Sequence, residues 1–353
     1  MEADKLKQIK AHANAIAELL YTETDSEQVK TLEGIEEVVR KHLIDYVNPE
    51  GGKIFISSSS RTEAGRKRNI KSIIGCLTIT EKQAQRLAVK SRTRWSPYLE
   101  KCCLLLSANE SYQRAEEDIQ VLTGIKVSHG TQQRMVHRQT FELLKVDHSV
   151  SEISIDGGKI RLRTPLGQPC QWRDYKAVNL HDLGVEAFFL ENRILAEWVN
   201  QQPSSDPLIC LGDGHQGIWN IFATIGDLQQ RREILDWYHL VENLGKVGGS
   251  IKRLNRVEAL LWKGKVDQAI KEFSNWKHEK VSNFITYLRQ HRHRIVNYDY
   301  YQSEGISIGS GTIESTIKQI GRRIKISGSQ WKTENVSQVL HHRCAYLNGY
   351  FST

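Results

Sequence analysis

The run "PLICLG" at residues 207–212 carries no polar side chain, where a strand exposed on one face would alternate. Such a strand has to be covered on both faces, and a sheet with helices on each side does this. Its neighbours fit that arrangement. Upstream, "SEISIDGGKIRLR" reads as two β-strands folded about Gly157 and Gly158, and "DYKAVNLHD" as a third. A helix is expected at about 190–200, where Leu190, Ile194, Leu195 and Trp198 share a face. Downstream, "GIWNIFATI" begins a helix and "EILDWYHL" is a further short strand. Three strands, helix, strand, helix, strand is an α/β order.

The flanking regions are helical in pattern. Residues 4–21 (Leu6, Ile9, Ala13, Ile16, Leu20) and 26–47 (Val29, Leu32, Val39, Leu43, Tyr46) predict two packed helices. The stretch "NPEGGKIFISSSSRTEAGRKR" mixes Pro, Gly and four consecutive serines, and reads as a linker with a domain boundary near residues 50–70. From 97 to 140 successive helices are expected. Tyr112–Leu122 packs through Ala115, Thr123-Gly124-Ile125 turns the chain, and Ser128 caps a second helix carrying His129, Gln132, Gln133, Arg134, His137 and Arg138. That outline is a helix-turn-helix fit to enter a major groove, and equally an ordinary helical hairpin. Residues 240–300 break the alternation and predict an all-helical insertion. After it, "EGISIGSGTIESTIKQIGRRIKIS" passes from a glycine-rich turn into a helix with a buried stripe of Ile313, Ile317 and Ile320.

The net charge of +8 is unevenly placed. Residues 61–94 hold ten Lys or Arg against two Glu, and residues 306–345 six against two. Charge gathered in this way attracts a polyanion and releases its counterions, or else forms a solvated basic face. No apolar run is long enough to cross a membrane, and the charged N-terminus lacks a signal peptide's apolar stretch, so an intracellular protein is expected. The six cysteines are scattered without a C-x-x-C pair, which predicts reduced core residues rather than disulfides or a zinc ribbon.

Three acids stand in comparable places. Asp156 closes the first strand, Asp213 closes the apolar run, and Glu314 lies in the first turn of the helix after the insertion. In an α/β sheet, strand ends and helix starts meet at one rim, where such folds bind ligands. Three carboxylates there repel one another unless cations lie between them. Two Mg²⁺ or Mn²⁺ ions roughly 3.5–4 Å apart would meet that need and clamp the attacking and leaving oxygens of a phosphodiester. Each acid also has an ordinary alternative: Asp156 as a hairpin turn residue, Asp213 as a helix N-cap, Glu314 as the N3 support of a helix start. None of these explains the set. Lys318, Arg322 and Lys325 follow Glu314 along one helical face, a row suited to phosphates or to surface ion pairs.

In order, "SIDGGKIRLRT", "WRDYKAVNL", "LGDGHQGIWN", "DWYHLVENL", "GSGTIES" and "HHRCAYLNG" resemble the DDE transposases of bacterial insertion sequences, most closely the Kra-type group, over about residues 97–350. The resemblance implies an α/β fold with a ribonuclease-H-like catalytic core, a mixed sheet flanked by helices, at 149–239 and 306–348. It implies an all-helical insertion at 240–305 and a mainly helical N-terminal DNA-binding region, divided into 1–50, a basic linker at 51–74 and a helix-turn-helix-like part at 75–148. Asp156, Asp213 and Glu314 are then expected to be a catalytic triad holding two Mg²⁺ (or Mn²⁺) ions, with Asp236 and His239 as an auxiliary D-x-x-H element.

The activity implied is cleavage of DNA at the transposon ends by activated water, followed by in-line attack of the freed 3′-hydroxyl on target DNA. The partners implied are double-stranded DNA, as terminal inverted repeats and as target, and further copies of the chain assembled on that DNA, in a bacterial cytoplasm at the nucleoid. Arg66, Lys67, Arg68, Arg92, Arg94, Gln132, Arg134, Lys318, Arg322, Arg323 and Lys325 are the expected DNA contacts. One departure stands out: where many relatives carry a cysteine-rich segment, this chain has "SRTEAGRKRNIKSIIGCLTI" with a single cysteine, so end recognition is expected to be weaker or differently built. Two other classes fit parts of the pattern. A DNA-binding derivative that does not cut would tolerate loss of the acids, all of which are present, and a nuclease without strand transfer would need neither the insertion nor the basic N-terminal region.

Overall fold

The computed structural model describes residues 2–59, 65–87, 89–181, 183–276 and 278–351; Arg61 and Glu63 of the basic stretch lie outside the described residues. The chain divides into two units, Met1–Ser107 with Ser111–Met135, and Ala108–Glu110 with Val136–Thr353.

In the first unit, helix Ala3–Thr22 buries no residue, and helix Leu32–His42 continues through a π-helical turn, Leu43–Val47, into helix Asn48–Ser59. The linker reading fails here. Pro49 directly follows the π-helical turn, an interruption of the helical hydrogen-bond ladder at which a residue without an N–H is tolerated. Gly52 lies so close to the following hairpin that a Cβ there would meet Leu77 Cδ2 at 2.7 Å. Packing therefore overrides a Gly- and Ser-rich composition.

That hairpin is also a departure from the expected linker and helices. Strand β1 (Lys67–Ser72) pairs antiparallel with β2 (Gly75–Thr80), from Lys67↔Thr80 to Ser72↔Gly75. Alternation turns Ile70, Leu77 and Ile79 inward and leaves Lys67 and Lys71 exposed. Ile70 and Ile79 form a small core with Ala84, covered by Ile56 and Val89. Further on, helix Tyr112–Thr123 buries Ala115 and Ile119, and Gly124, at φ 70°, ends it in the left-handed conformation. Helix His129–Arg138 follows.

The second unit is built on a five-stranded sheet of order β5-β4-β3-β6-β7. Strand β3 (Val150–Leu162) pairs antiparallel with β4 (Gln171–Leu180), which pairs antiparallel with β5 (Gly184–Phe188). On its other side β3 runs parallel to β6 (Ser204–Gly212), and β6 parallel to β7 (Arg231–Leu235). Two corrections to the expected elements follow. "SEISIDGGKIRLR" is one continuous strand, with Asp156, Gly157 and Gly158 in its middle. Strand β7 stops at Leu235, and Trp237–Val247 is helical. Of the expected helical face, Leu195 and Trp198 are buried, with Ala196 and Val199 beside them in helix Asn192–Asn200, while Ile194 and Leu190, which precedes the helix, are exposed.

Ile153, Ile155, Val178 and Leu180 share one face of the sheet and pack with Leu195, Trp198, Trp219 and Phe222 from the helices after β5 and β6. The same core continues into the insertion through Leu240, Val257, Leu261, Phe284 and Leu288. The described residues between β7 and Ile308 form helices, Trp237–Val247, Ile251–Trp262, Val266–Lys271, Glu279–Gln290, a short 3-10 turn at Arg292–Arg294, and Tyr298–Ser303. On the opposite face Asn179, between Val178 and Leu180, donates from Nδ2 to Thr316 Oγ1 at 3.0 Å. That bond fixes helix Gly311–Ile324 on β3 and β4, and helix Val336–Leu347 packs against β5. Among the described residues no helix is long and apolar enough to cross a membrane.

Candidate active site

Register brings three aspartates into one row. Ile155 of β3 is the partner of Gly212 of β6, and Gly212 the partner of Leu235 of β7. The residues that follow are Asp156, still within β3, and Asp213 and Asp236, each just past the end of its strand. Pairing of β3 with β6 ends at Ile155 while pairing with β4 runs on to Leu162, so Asp156 is the first residue of β3 with one side open. It is not a turn residue. By the alternation of the strand it lies on the face of Asn179, which is the face covered by helix Gly311–Ile324.

Asp156 is half-buried. Burial raises its carboxyl above the usual range, the Gly157 N–H opposes this, neighbouring Asp213 raises it further, and His239 and Lys176 draw it back. Asp213 does not cap the next helix, Gln216–Phe222: its Oδ1 accepts from the His215 N–H at 2.8 Å, and His215 caps the helix by accepting from Gly217 N–H at 3.1 Å. Gly214 has to be glycine, because a Cβ there would lie 2.4 Å from the Tyr287 ring of the insertion.

Asp236 is 2% exposed. Its Oδ1 accepts from the His239 N–H at 2.8 Å, capping helix Trp237–Val247, and its Oδ2 accepts from the Ser310 hydroxyl at 2.5 Å and from the Ser310 N–H. Burial pushes this carboxyl up, but the hydrogen bonds from His239 and Ser310 outweigh it and hold the pKa at about 2. The Asp236 carboxylate, 3.4 Å from His239 Nδ1, raises that imidazole to about 9 against the effect of burial, with Asp213 and Asp156 adding to the rise. At neutral pH an imidazolium therefore faces the two aspartates.

Glu314 is in the first turn of its helix, but it is exposed and paired with Lys318 at 2.7 Å. It stands one residue, about 100° around the helix, off the buried position of Ile313. Among the described residues no three His, Cys, Asp or Glu side chains converge as a metal-binding group. The structure thus brings Asp156 and Asp213 together, with His239 beside them, and leaves Glu314 on the flank. Of the expected DNA contacts, Arg66, Lys67, Arg92, Arg94, Arg134, Lys318, Arg322 and Lys325 are exposed. Three are not available. Gln132 is fully buried and donates to the Val127 carbonyl at 3.0 Å. Arg323 is 1% exposed with its guanidinium over the Trp331 ring. Arg68 is half-buried against the carbonyls of Val89 and Lys90 and lies 3.8 Å from Glu81.

Sequence reasoning missed three participants. Lys176 sits across the ladder from Gly157, close enough to influence Asp156. Ser310 holds Asp236. A cleft of about 820 Å³ opens beside Asp213 into the insertion, lined by His239, Asn243, Lys246, Lys280, Asn283 and Tyr287 among others. Only Ser310 had a visible signal, as a serine at a helix start; the others depend on register and on the fold of the insertion. The chain matches no protein-family model, and no curated protein matches it at a significant level.

Proposed function

We propose that the protein is a DDE-type transposase with a ribonuclease-H-like core, cutting DNA at the ends of a mobile element and joining the freed strand to target DNA. The observation that carries this reading is the in-register pair Asp156 and Asp213 at the open end of adjacent parallel strands, with the Glu314 helix on the face that Asp156 occupies. A mixed sheet flanked by helices and interrupted by an all-helical insertion is the architecture the family resemblance implies.

The donor set fits a hard divalent cation. Asp213 adds to the rise of the Asp156 carboxyl, and carboxylate oxygens are the ligands such an ion prefers. Mg²⁺ or Mn²⁺, bound there as one ion or two, would polarise phosphate oxygens and lower the pKa of a bound water. Asp156 and Asp213 would be its ligands, and Glu314 would join them on leaving Lys318, an exposed i,i+4 pair that costs little to open. Lys246 and Lys280, with the amides of Asn243 and Asn283, offer donors to a strand passing through the cleft.

The test is Mg²⁺-dependent cleavage and strand transfer on DNA bearing the element's own ends. Asp156→Ala, Asp213→Ala and Glu314→Ala should each lose about 10²–10³-fold in rate or more, the scale for removing one preorganised electrostatic group. If all three variants kept wild-type rates, the assignment of the acids would be wrong. Tight binding of the ends by a wild-type protein that cuts nothing in Mg²⁺ would favour the DNA-binding derivative instead.

A further inference from the structure

We propose that Asp236 is a positioning residue that sets where Glu314 stands relative to Asp156 and Asp213, by clamping Ser310 at the start of the Glu314 helix to the end of β7. The inference deepens the reading of the site given above and rests on it for the role of Glu314.

Three segments meet at this carboxylate. The Asp236 N–H donates to the Gly212 carbonyl at 2.9 Å, one residue before Asp213, and the Trp237 N–H donates to the Ile308 carbonyl at 2.9 Å. The side chain then divides its oxygens, Oδ1 to the His239 N–H and Oδ2 to both donors of Ser310, a residue 74 positions away. Ser310 occupies the N-cap position of helix Gly311–Ile324, where a serine hydroxyl ordinarily accepts from the helix's own N–H groups. Here it makes no such bond and donates to Asp236 instead. The Ser310 carbonyl accepts from the Glu314 N–H at 3.0 Å, so the clamp reaches the acid through one helical turn, a rise of about 6 Å.

The loop before the helix is held equally closely. A Cβ on Gly309 would lie 2.5 Å from the Tyr238 ring, so this backbone lies directly on residues 236–239. A buried carboxylate depends on its hydrogen bonds, which makes an alternative seat for the helix start costly. The insertion leaves the core just after Asp236 and returns just before Ser310. The clamp closes that neck, so the position of Glu314 is set by the sheet end and not by the long helical excursion between them.

Asp236→Asn is the informative substitution. An asparagine has one acceptor oxygen, which can serve the His239 N–H or Ser310 but not both, while its shape and capping ability are kept. Ser310→Ala removes one donor and leaves the cap of helix Trp237–Val247 untouched. In metal-free protein, amide hydrogen exchange over residues 309–316 should accelerate in both variants, with β3 and β6 unchanged. In the cleavage assay, kcat should fall roughly 10–100-fold, the scale for slight misplacement of a catalytic group, with KM for DNA unchanged. Placed in a Glu314→Ala background, Ser310→Ala should cost nothing further, because both act through the same acid while the Asp236 carboxylate keeps its hold on His239.

Unchanged exchange at 309–316, or losses that multiply in the double variant, would overturn the proposal. If wild-type protein cuts no DNA, the transposase reading fails while the exchange measurement still decides whether the clamp exists.

Discussion

Tyr175 is 1% exposed and lies over Gly158, where a Cβ would come within 2.2 Å of the ring. Neither Gly157 nor Gly158 has a positive φ. They are in the strand because side chains of β4, the Tyr175 ring over Gly158 and the end of Lys176 over Gly157, take the space, not because the chain turns. Gly158→Ala should therefore destabilise the protein by about 1–3 kcal/mol, the usual cost of overpacking, in urea or thermal unfolding; a neutral result would mean that the ring moves aside freely. The pair was read as a turn because adjacent glycines look the same in sequence whether they serve a left-handed conformation or a close approach. The second use is set by a residue seventeen positions away.

At the same scale, Glu186 of β5 is 2% exposed and accepts from the Leu144 N–H at 2.9 Å. Burial pushes its carboxyl up to about 7 from an ordinary 4.5, against that hydrogen bond. The folded state then holds the proton more tightly than the unfolded chain, so stability is greatest below pH 4.5 as far as this group is concerned. It is lost as pH rises through about 7, with a slope of at most about 1.4 kcal/mol per pH unit. Glu186→Gln should flatten this part of a stability–pH profile, and an unchanged profile would remove Glu186 as its source.

At the scale of elements, the sheet and the insertion are joined by more than apolar packing. Glu233 of β7 is paired with Arg294 of the insertion at 2.7 Å, and Arg231 lies 3.5 Å from its other oxygen. The Arg294 guanidinium also covers the Trp219 ring at 4.1 Å from its centroid. Glu233→Ala would leave nearly buried arginine charge uncompensated and should cost about 3–5 kcal/mol in denaturant unfolding. A loss below 1 kcal/mol would show that water reaches the pair. The helical insertion was legible because its 3.6-residue pattern is local, and so was the doubly covered strand β6. The hairpin β1–β2 was not: "KRNIKS" and "GCLTIT" do alternate, but the basic residues and the Gly- and Ser-rich run before them suggested a linker. The helix Asn48–Ser59 exists through contacts with that hairpin, which composition cannot report. Asp236 likewise sat inside a misread strand, so its place in the row of aspartates depended on a register that only the assembled sheet defines.

For the whole molecule, the question is which of its cations meet a polyanion. The net charge of +8 belongs to the full chain, and the sequence could say where it gathers but not which side chains are spent internally. Exposure separates them: Arg66, Lys67, Arg92 and Arg94 stand in solvent, whereas Arg323 is buried over Trp331. If the exposed four contact phosphates, each should contribute close to 0.9 to the slope of log K against log salt concentration for duplex DNA. Replacing all four by glutamine in the full-length chain should therefore flatten that slope by about 3 to 4 and weaken binding by a similar factor for every DNA sequence tested. Arg323→Met should behave in the opposite way, lowering the midpoint of thermal unfolding while leaving the salt slope of the folded protein unchanged. Binding isotherms at several salt concentrations for the two variants decide the matter. A slope untouched by loss of the four exposed cations would rule them out as phosphate contacts, whatever the loss of Asp156, Asp213 or Glu314 does.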